Sequence, residues 1–189
     1  MEFGDIVALE GGGFVVTWRT TDTAADGSGY AVMARVFDSS GAGGTEFVVN
    51  SAATGDQYMS SVAALANGGF VVAWYTADTT QDGSYGAVKV QLFDASGAKV
   101  GSELLVNSEA TESQREPMVA ALQDGGFAVV WNTLDTLQDG SGSALKGQYF
   151  DASGQPVGDE FLVNSQTSGS QSLPSIATLA DGGVLVAWA

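Results

Sequence analysis

Gly68-Gly69-Phe70-Val71-Val72-Ala73-Trp74 is the phrase on which the reading of this chain turns, because it occurs four times. It returns as Gly12-Gly13-Phe14-Val15-Val16-Thr17-Trp18, as Gly125-Gly126-Phe127-Ala128-Val129-Val130-Trp131 and as Gly182-Gly183-Val184-Leu185-Val186-Ala187-Trp188. The chain holds 4 tryptophans in all, and these closing positions, spaced 56, 57 and 57 apart, use every one of them. A fixed period of a few tens of residues is the signature of a repeat architecture. The 189 residues therefore divide into repeats at 5–61, 62–117 and 118–174, with the opening of a fourth at 175–189.

The second repeat shows what one unit contains. Ser61–Ala66 is a short apolar run, and Asn67-Gly68-Gly69 after it is a hairpin signal whose tightest form needs positive φ at both central residues. Phe70–Trp74 is apolar at odd and even positions, which predicts a strand covered on both faces. A polar loop over 76–84 follows. Ala87–Phe93 alternates apolar with polar, the pattern of a half-exposed strand. Asp94-Ala95-Ser96-Gly97 turns the chain into a last strand, Glu103–Asn107, and a polar link through Gln114 and Pro117 leads to the next unit at Met118–Leu122. Other positions keep the same time: Asn50, Asn107 and Asn164, each followed by serine, and Gln57, Gln114 and Gln171 recur at 57. The one-residue shortfall falls in the turn at Gly41–Thr45, where an indel leaves strand register intact.

No stretch has apolar residues at helical spacing with caps and without glycine, so the fold class is all-β, with four antiparallel strands per unit. A 57-residue unit is too long for a β-helix coil and too short for an immunoglobulin sandwich, but it fits a β-propeller blade. Blades stack face to face, and the repeated tryptophan then fills the gap between neighbours. Three units and a hairpin make a partial ring, or a ring completed by oligomerisation; the chain reads as a piece of a longer protein or as a unit that another copy completes.

The succession of the Gly-Gly-Phe-Val-Val-Ala-Trp phrase, Asp-Thr-x-x-Asp-Gly-Ser, Phe-Asp-Ala-Ser-Gly, a strand ending Val-Asn-Ser and a Gln-x-x-Pro link resembles the tandem repeats of very large secreted bacterial proteins. Those are described as calcium-binding hemolysin-type (RTX) proteins and surface adhesins. The resemblance covers residues 5–189 and implies a bacterial protein, secreted or at the cell surface. The glycine-rich nonapeptide that binds calcium in RTX β-rolls does not occur, so calcium is not carried over from that motif.

Charge bounds the partners. With 22 acidic residues, 6 basic ones and no histidine, the formal charge is −16, which repels nucleic acid and anionic lipid. No apolar run is long enough to span a membrane, and no cysteine is available for disulfides, thiolate metal sites or catalysis. No nucleophile has a base beside it in sequence, no phosphate-binding loop is present, and an active site copied three times is unusual, so the chain is read as no enzyme.

The candidate metal ligands are pairs in the loop after each tryptophan: Asp22 and Asp26, Asp78 and Asp82, Asp135 and Asp139. Two carboxylates four apart before a glycine turn, among Thr and Ser oxygens, offer a small oxygen cage for Ca²⁺. The competing reading is plain turn chemistry with aspartates capping backbone amides. The tryptophans are read as core rather than as a sugar-stacking surface. The functional expectation is a non-catalytic structural or adhesion module, stiffened by Ca²⁺ if the cages bind it. The alternatives are a lectin-like propeller binding carbohydrate with one site per blade, and a self-assembling fragment. Partners are neighbouring repeats or further copies, and then glycans of a cell surface.

Overall fold

The computed structural model describes residues 2–189 except 23, 28, 82, 84, 109, 110, 137, 138 and 141. It is all-β. The first sheet runs β1 (Glu2–Ala8), β2 (Phe14–Thr20), β3 (Ala31–Phe37) and β4 (Phe47–Val48). The second runs β5 (Gln57–Ala64), β6 (Phe70–Thr76), β7 (Ala87–Phe93) and β8 (Lys99–Leu105). The third runs β9 (Gln114–Ala121), β10 (Phe127–Thr133), β11 (Ala144–Phe150) and β12 (Pro156–Leu162). A hairpin of β13 (Ser175–Thr178) and β14 (Val184–Ala187) follows. Every pairing between these strands is antiparallel and every connection joins neighbours, so the three larger sheets are four-stranded meanders of the propeller-blade kind; the sheets do not close into a ring.

The second strands explain the stacking. Successive side chains of a strand point to opposite faces. On β6, Phe70, Val72 and Trp74 face back to the first sheet and pack with Leu9, Val15 and Val32. Val71 and Ala73, on the other face, join a cluster with Phe127, Val129 and Trp131 of the third sheet. The same alternation then repeats one sheet on. Cross-strand phenylalanines extend the backward face: Phe70 stacks on Phe93 and Phe127 on Phe150, with centroids 5.0 and 4.9 Å apart. Trp74 and Trp131 are fully buried in this way, whereas Trp18 is half-buried and Trp188 is 39% exposed. The end sheets lack one neighbour or two strands, so the expected packing holds only where both sheets are complete.

Two expectations change. The third strand is not half-exposed: β7 is buried along its whole length and β11 nearly so. Its polar residues are matched inside. Lys89 pairs with Glu103 at 2.8 Å and Lys146 with Glu160 at 2.6 Å, both pairs buried. Gln91 and Gln148 donate to the carbonyls of Val100 and Val157, closing the irregularity between third and fourth strands. In the first sheet Arg35 does the same to the Gly44 carbonyl. The exposed face belongs to the outermost strands, β8 and β12. The Asn67-Gly68 turn also differs from the tight form, since positive φ falls on Gly68 and not on Asn67. The Leu65 amide reaches the Gly69 carbonyl at 2.9 Å, and Asn67 Oδ1 accepts from the Gly69 amide. This is a longer turn ended by one left-handed glycine.

The first strands begin earlier than the link region suggests, at Gln57 and Gln114. The indole N–H of Trp74 donates to Gln57 Oε1 at 3.1 Å, and that of Trp131 to Gln114 Oε1 at 3.2 Å, both buried. A buried indole donor requires such an acceptor.

The turns between third and fourth strands are held by Asp38, Asp94 and Asp151. Each Oδ1 accepts from the hydroxyl and amide of the serine two residues on, and from the amide four on. The serine hydroxyl, then these amides, holds each carboxyl below its ordinary value of 3.8. A lowered folded value stabilises above the unfolded one and is lost as pH falls through the lowered range. Replacing Asp94→Asn should therefore cost stability at neutral pH, with a penalty that shrinks as pH drops below 3.8, measured by urea unfolding across pH. Trp131→Ala should cost about 3–5 kcal/mol through its cavity. Trp188→Ala, at a half-covered position, should cost about 1 kcal/mol or less in the same assay.

Candidate functional site

In a four-stranded meander the loop between second and third strands and the link to the next unit lie at the same end of the sheet. The predicted aspartate loops are therefore at the loop end of the array, and the structure shows what each described member does. Asp22 Oδ1 accepts from the Ala24 amide at 2.9 Å. Asp78 is buried; its Oδ1 accepts from the amide and hydroxyl of Thr80, and its Oδ2 from Gln81 Nε2 at 2.6 Å. Burial pushes the Asp78 carboxyl up, but the Thr80, Gln81 and Lys89 contacts together outweigh it and hold it low. Asp135 is buried and accepts from the Thr111 hydroxyl at 2.9 Å. Asp82 lies outside the described residues.

Asp26 and Asp139 have a partner that the sequence only hinted at. Asn50 Nδ2 donates to Asp26 Oδ2 at 2.8 Å while its Oδ1 accepts from the Val32 amide. Asn164 does the same between Asp139 Oδ2 and the Leu145 amide. The periodic asparagine is thus a clip from the fourth strand to the third strand and to the loop. The serine after it reaches across: the Ser51 amide donates to Glu103 of the next sheet and the Ser108 amide to Glu160. Among the described residues no group of three or more Asp or Glu is arranged to hold a metal ion.

A different group of residues gathers at the inner edge, where the first strands of successive sheets lie side by side. There the register of β5 shifts between Tyr58 and Ser61, and that of β9 across Glu116 and Pro117. Met59, Glu116 and Leu173, 57 residues apart, all have positive φ, between 52° and 57°. Such strain in non-glycine residues persists only where the surroundings impose it, and it gathers at functional sites. These bulges wall a cavity of about 410 Å³, bounded by Arg19, Met59, Glu116, Pro117, Met118 and Leu173 among others. Its walls are mainly apolar, and Glu116, the one carboxylate among the described residues that line it, accepts from the Leu173 amide at 2.8 Å.

Beside the cavity stands a cluster of tyrosines. Tyr58, next to Met59, packs against Tyr75 at 4.8 Å and edge-on to Tyr30 at 6.2 Å. The Arg19 guanidinium lies 4.5 Å from the Tyr30 ring centre. Burial, then the Tyr75 neighbour, pushes the Tyr58 hydroxyl up, so it keeps its proton and can both donate and accept. The sequence reading missed this site because its aromatic and charged residues do not repeat. Position 19 becomes Tyr75, Asn132 and Ala189 in later units, and position 58 becomes Arg115 and Ser172.

No family model matches the chain, and no curated protein matches it. Solved structures do. An endo-arabinase from Bacteroides thetaiotaomicron aligns over 98% of this chain and 68% of its own, at 14% identity and a TM-score of 0.58. An α-L-arabinofuranosidase from Lactobacillus brevis aligns over 98% and 63%, at 10% identity and a TM-score of 0.61. A Hadza microbial sialidase aligns over 98% and 41%, at 8% identity and a TM-score of 0.66. At these identities the likeness concerns the fold, and the chain spans about two fifths to two thirds of those proteins' lengths.

Every described loop aspartate already accepts a hydrogen bond from a protein donor, so an ion at these loops would have to displace protein contacts. Melting temperatures in EDTA and in millimolar Ca²⁺ are expected to coincide. A rise of several degrees in Ca²⁺ would assign the loops to the ion.

Proposed function

We propose that this chain binds carbohydrate without transforming it, at the inner-edge cavity and the tyrosine cluster beside it. The observation that carries this reading is the meeting of Tyr58, Tyr30 and Arg19 with a concave pocket whose walls come from several successive units. Aromatic faces take the apolar faces of sugar rings, while phenol hydroxyls, an arginine and a carboxylate supply the few polar contacts that orient a ligand. The fold is shared with an arabinase, an arabinofuranosidase and a sialidase, whose names state action on glycans. Glycoside hydrolysis ordinarily uses two carboxyl groups flanking the bond. Here Glu116 is the one carboxylate among the described residues that wall the cavity, and a backbone amide holds it. That favours recognition over catalysis.

In the secreted or surface setting that the repeat resemblance implies, such a site would meet cell-surface or matrix polysaccharide. The stacked sheets would serve as its rigid support, which joins the binding role to the adhesive one.

Titration calorimetry with arabinan oligosaccharides and with sialylated glycans, preceded by a glycan array, tests this reading. At least one class should bind, Tyr58→Ala should raise Kd by about tenfold (about 1.4 kcal/mol), and no reducing ends should be released. An array without hits removes the proposal.

A further inference from the structure

Lys89 lies in the middle of the buried strand β7, and its amine touches two side chains at once. Its Nζ is 2.6 Å from Gln81 Oε1 and 2.8 Å from Glu103 Oε2. The Lys89 and Glu103 side chains are 10% and 7% exposed. Gln81 stands in the loop between β6 and β7, where its backbone amide donates to the Asp78 carbonyl at 3.1 Å. Its side-chain Nε2 donates to Asp78 Oδ2 at 2.6 Å. The carboxamide is thus fixed on both sides, with its oxygen towards the amine and its nitrogen towards a carboxylate. The ion pair returns one unit on as Lys146 and Glu160. In sequence Gln81 returns as Gln138, which lies outside the described residues. In the first unit Ala25 and Met33 stand where the glutamine and the lysine would be, while the glutamate remains as Glu46. The amine and the carboxamide are kept or lost together.

We infer that Lys89 and Gln81 become joined by a side-chain amide bond, which the folded chain forms by itself. The lysine ammonium passes a proton to Glu103, and the freed amine attacks Gln81 Cδ. The Cδ–Nε2 bond breaks as the Nζ–Cδ bond forms. The glutamine nitrogen leaves as ammonium, carrying the two protons that the lysine nitrogen sheds, and Glu103 ends as the carboxylate it began as. A lysine amine in contact with a base is an activated nucleophile. Fixing both reacting groups in the fold removes the entropy cost of bringing them together. Burial keeps water from competing for the carbonyl. Afterwards Glu103 keeps the Ser51 amide and gains the new N–H. The bond closes a short ring, so it stiffens the loop against β7 more than it stabilises the stacked sheets.

Peptide mapping of the whole chain, aged in its folded state at neutral pH, tests the inference. Trypsin should pass over Lys89 and release residues 36–99 as one peptide, lighter than its sequence by one ammonia. A further cut by chymotrypsin after Tyr85, between the two partners, should leave the halves joined. Gln81→Ala removes the carboxamide and should restore cleavage after Lys89. Lys89→Arg keeps the positive charge beside Glu103 and should restore the full mass of the Gln81 peptide. Thermal melts show that both variants fold. A wild type that is cleaved after Lys89 and gives residues 36–89 at full mass overturns the inference. So does a loss of ammonia that maps to another amide, such as Asn67, or one that survives Gln81→Ala.

Discussion

Burial of Trp74 and Trp131 between consecutive sheets is the constraint from which the rest of the structure follows. An isolated four-stranded meander has two faces and no core. On the second strand the Phe-Val-Trp positions and the Val-Ala positions alternate, so both faces are apolar and each demands a neighbour. Once the sheets stack, every polar atom caught between them must be matched. The glutamine of the first strand accepts from the indole. The lysine of the third strand pairs with the glutamate of the fourth, and that glutamate also takes the serine amide of the preceding unit. A buried ion pair of this kind adds little net stability when intact, but losing either partner would strand a charge. Its value lies in fixing how one sheet sits on the next.

The same constraint explains the strain at the inner edge. The first strand must present its glutamine to the indole near its start and its apolar residues to the sheet faces further on. The register shift between Tyr58 and Ser61 reconciles the two, and Met59 takes the left-handed conformation as part of it. Glu116 and Leu173 repeat it at the same spacing. The bulges of β5 and β9, beside the buried Trp74 and Trp131, together with the left-handed Leu173 ahead of β13, leave the cavity. The site is a by-product of closing the core, decorated afterwards by whichever side chains stand there.

What could be read from the sequence was what repeats. The phrase ending at Trp74 gave the period, the second strand and its double burial. The third strand was misjudged because Lys89 and Gln91 are polar, and a polar residue in an alternating run reads as facing water; the partners Glu103 and the Val100 carbonyl become visible only when the fourth strand is laid beside it. The periodic Asn50, Asn107 and Asn164 were visible as a rhythm, but nothing local says that an amide oxygen will be aimed at a backbone N–H eighteen residues back, as in Asn50 to Val32. The turn at Asn67-Gly68 is legible in the sequence, but its form is not, since only Gly68 takes positive φ. The loop aspartates drew attention because they repeat and are charged, and the structure shows Asp26 and Asp139 engaged with that same asparagine.

Repetition and the proposed site are therefore separated along this chain. Positions that recur are committed to the sheet interfaces, as Trp74 and Gln57 are, or to turns, as Asp94 is. Arg19, Tyr30, Tyr58 and Glu116 occupy positions where the units differ. The backbone presents each unit's loop end in the same way, and the variation among units makes one junction unlike the others. The proposed site is not copied from sheet to sheet: the position of Tyr58 holds Arg115 and then Ser172. The cavity takes Arg19 from the first sheet, Met59 from the second, Met118 from the third and Leu173 from the link to the hairpin. No single sheet contains it, so the proposed site needs the stacked array, and anything that loosens the stacking around Trp74 and Trp131 would disperse its walls before it unfolds any one sheet.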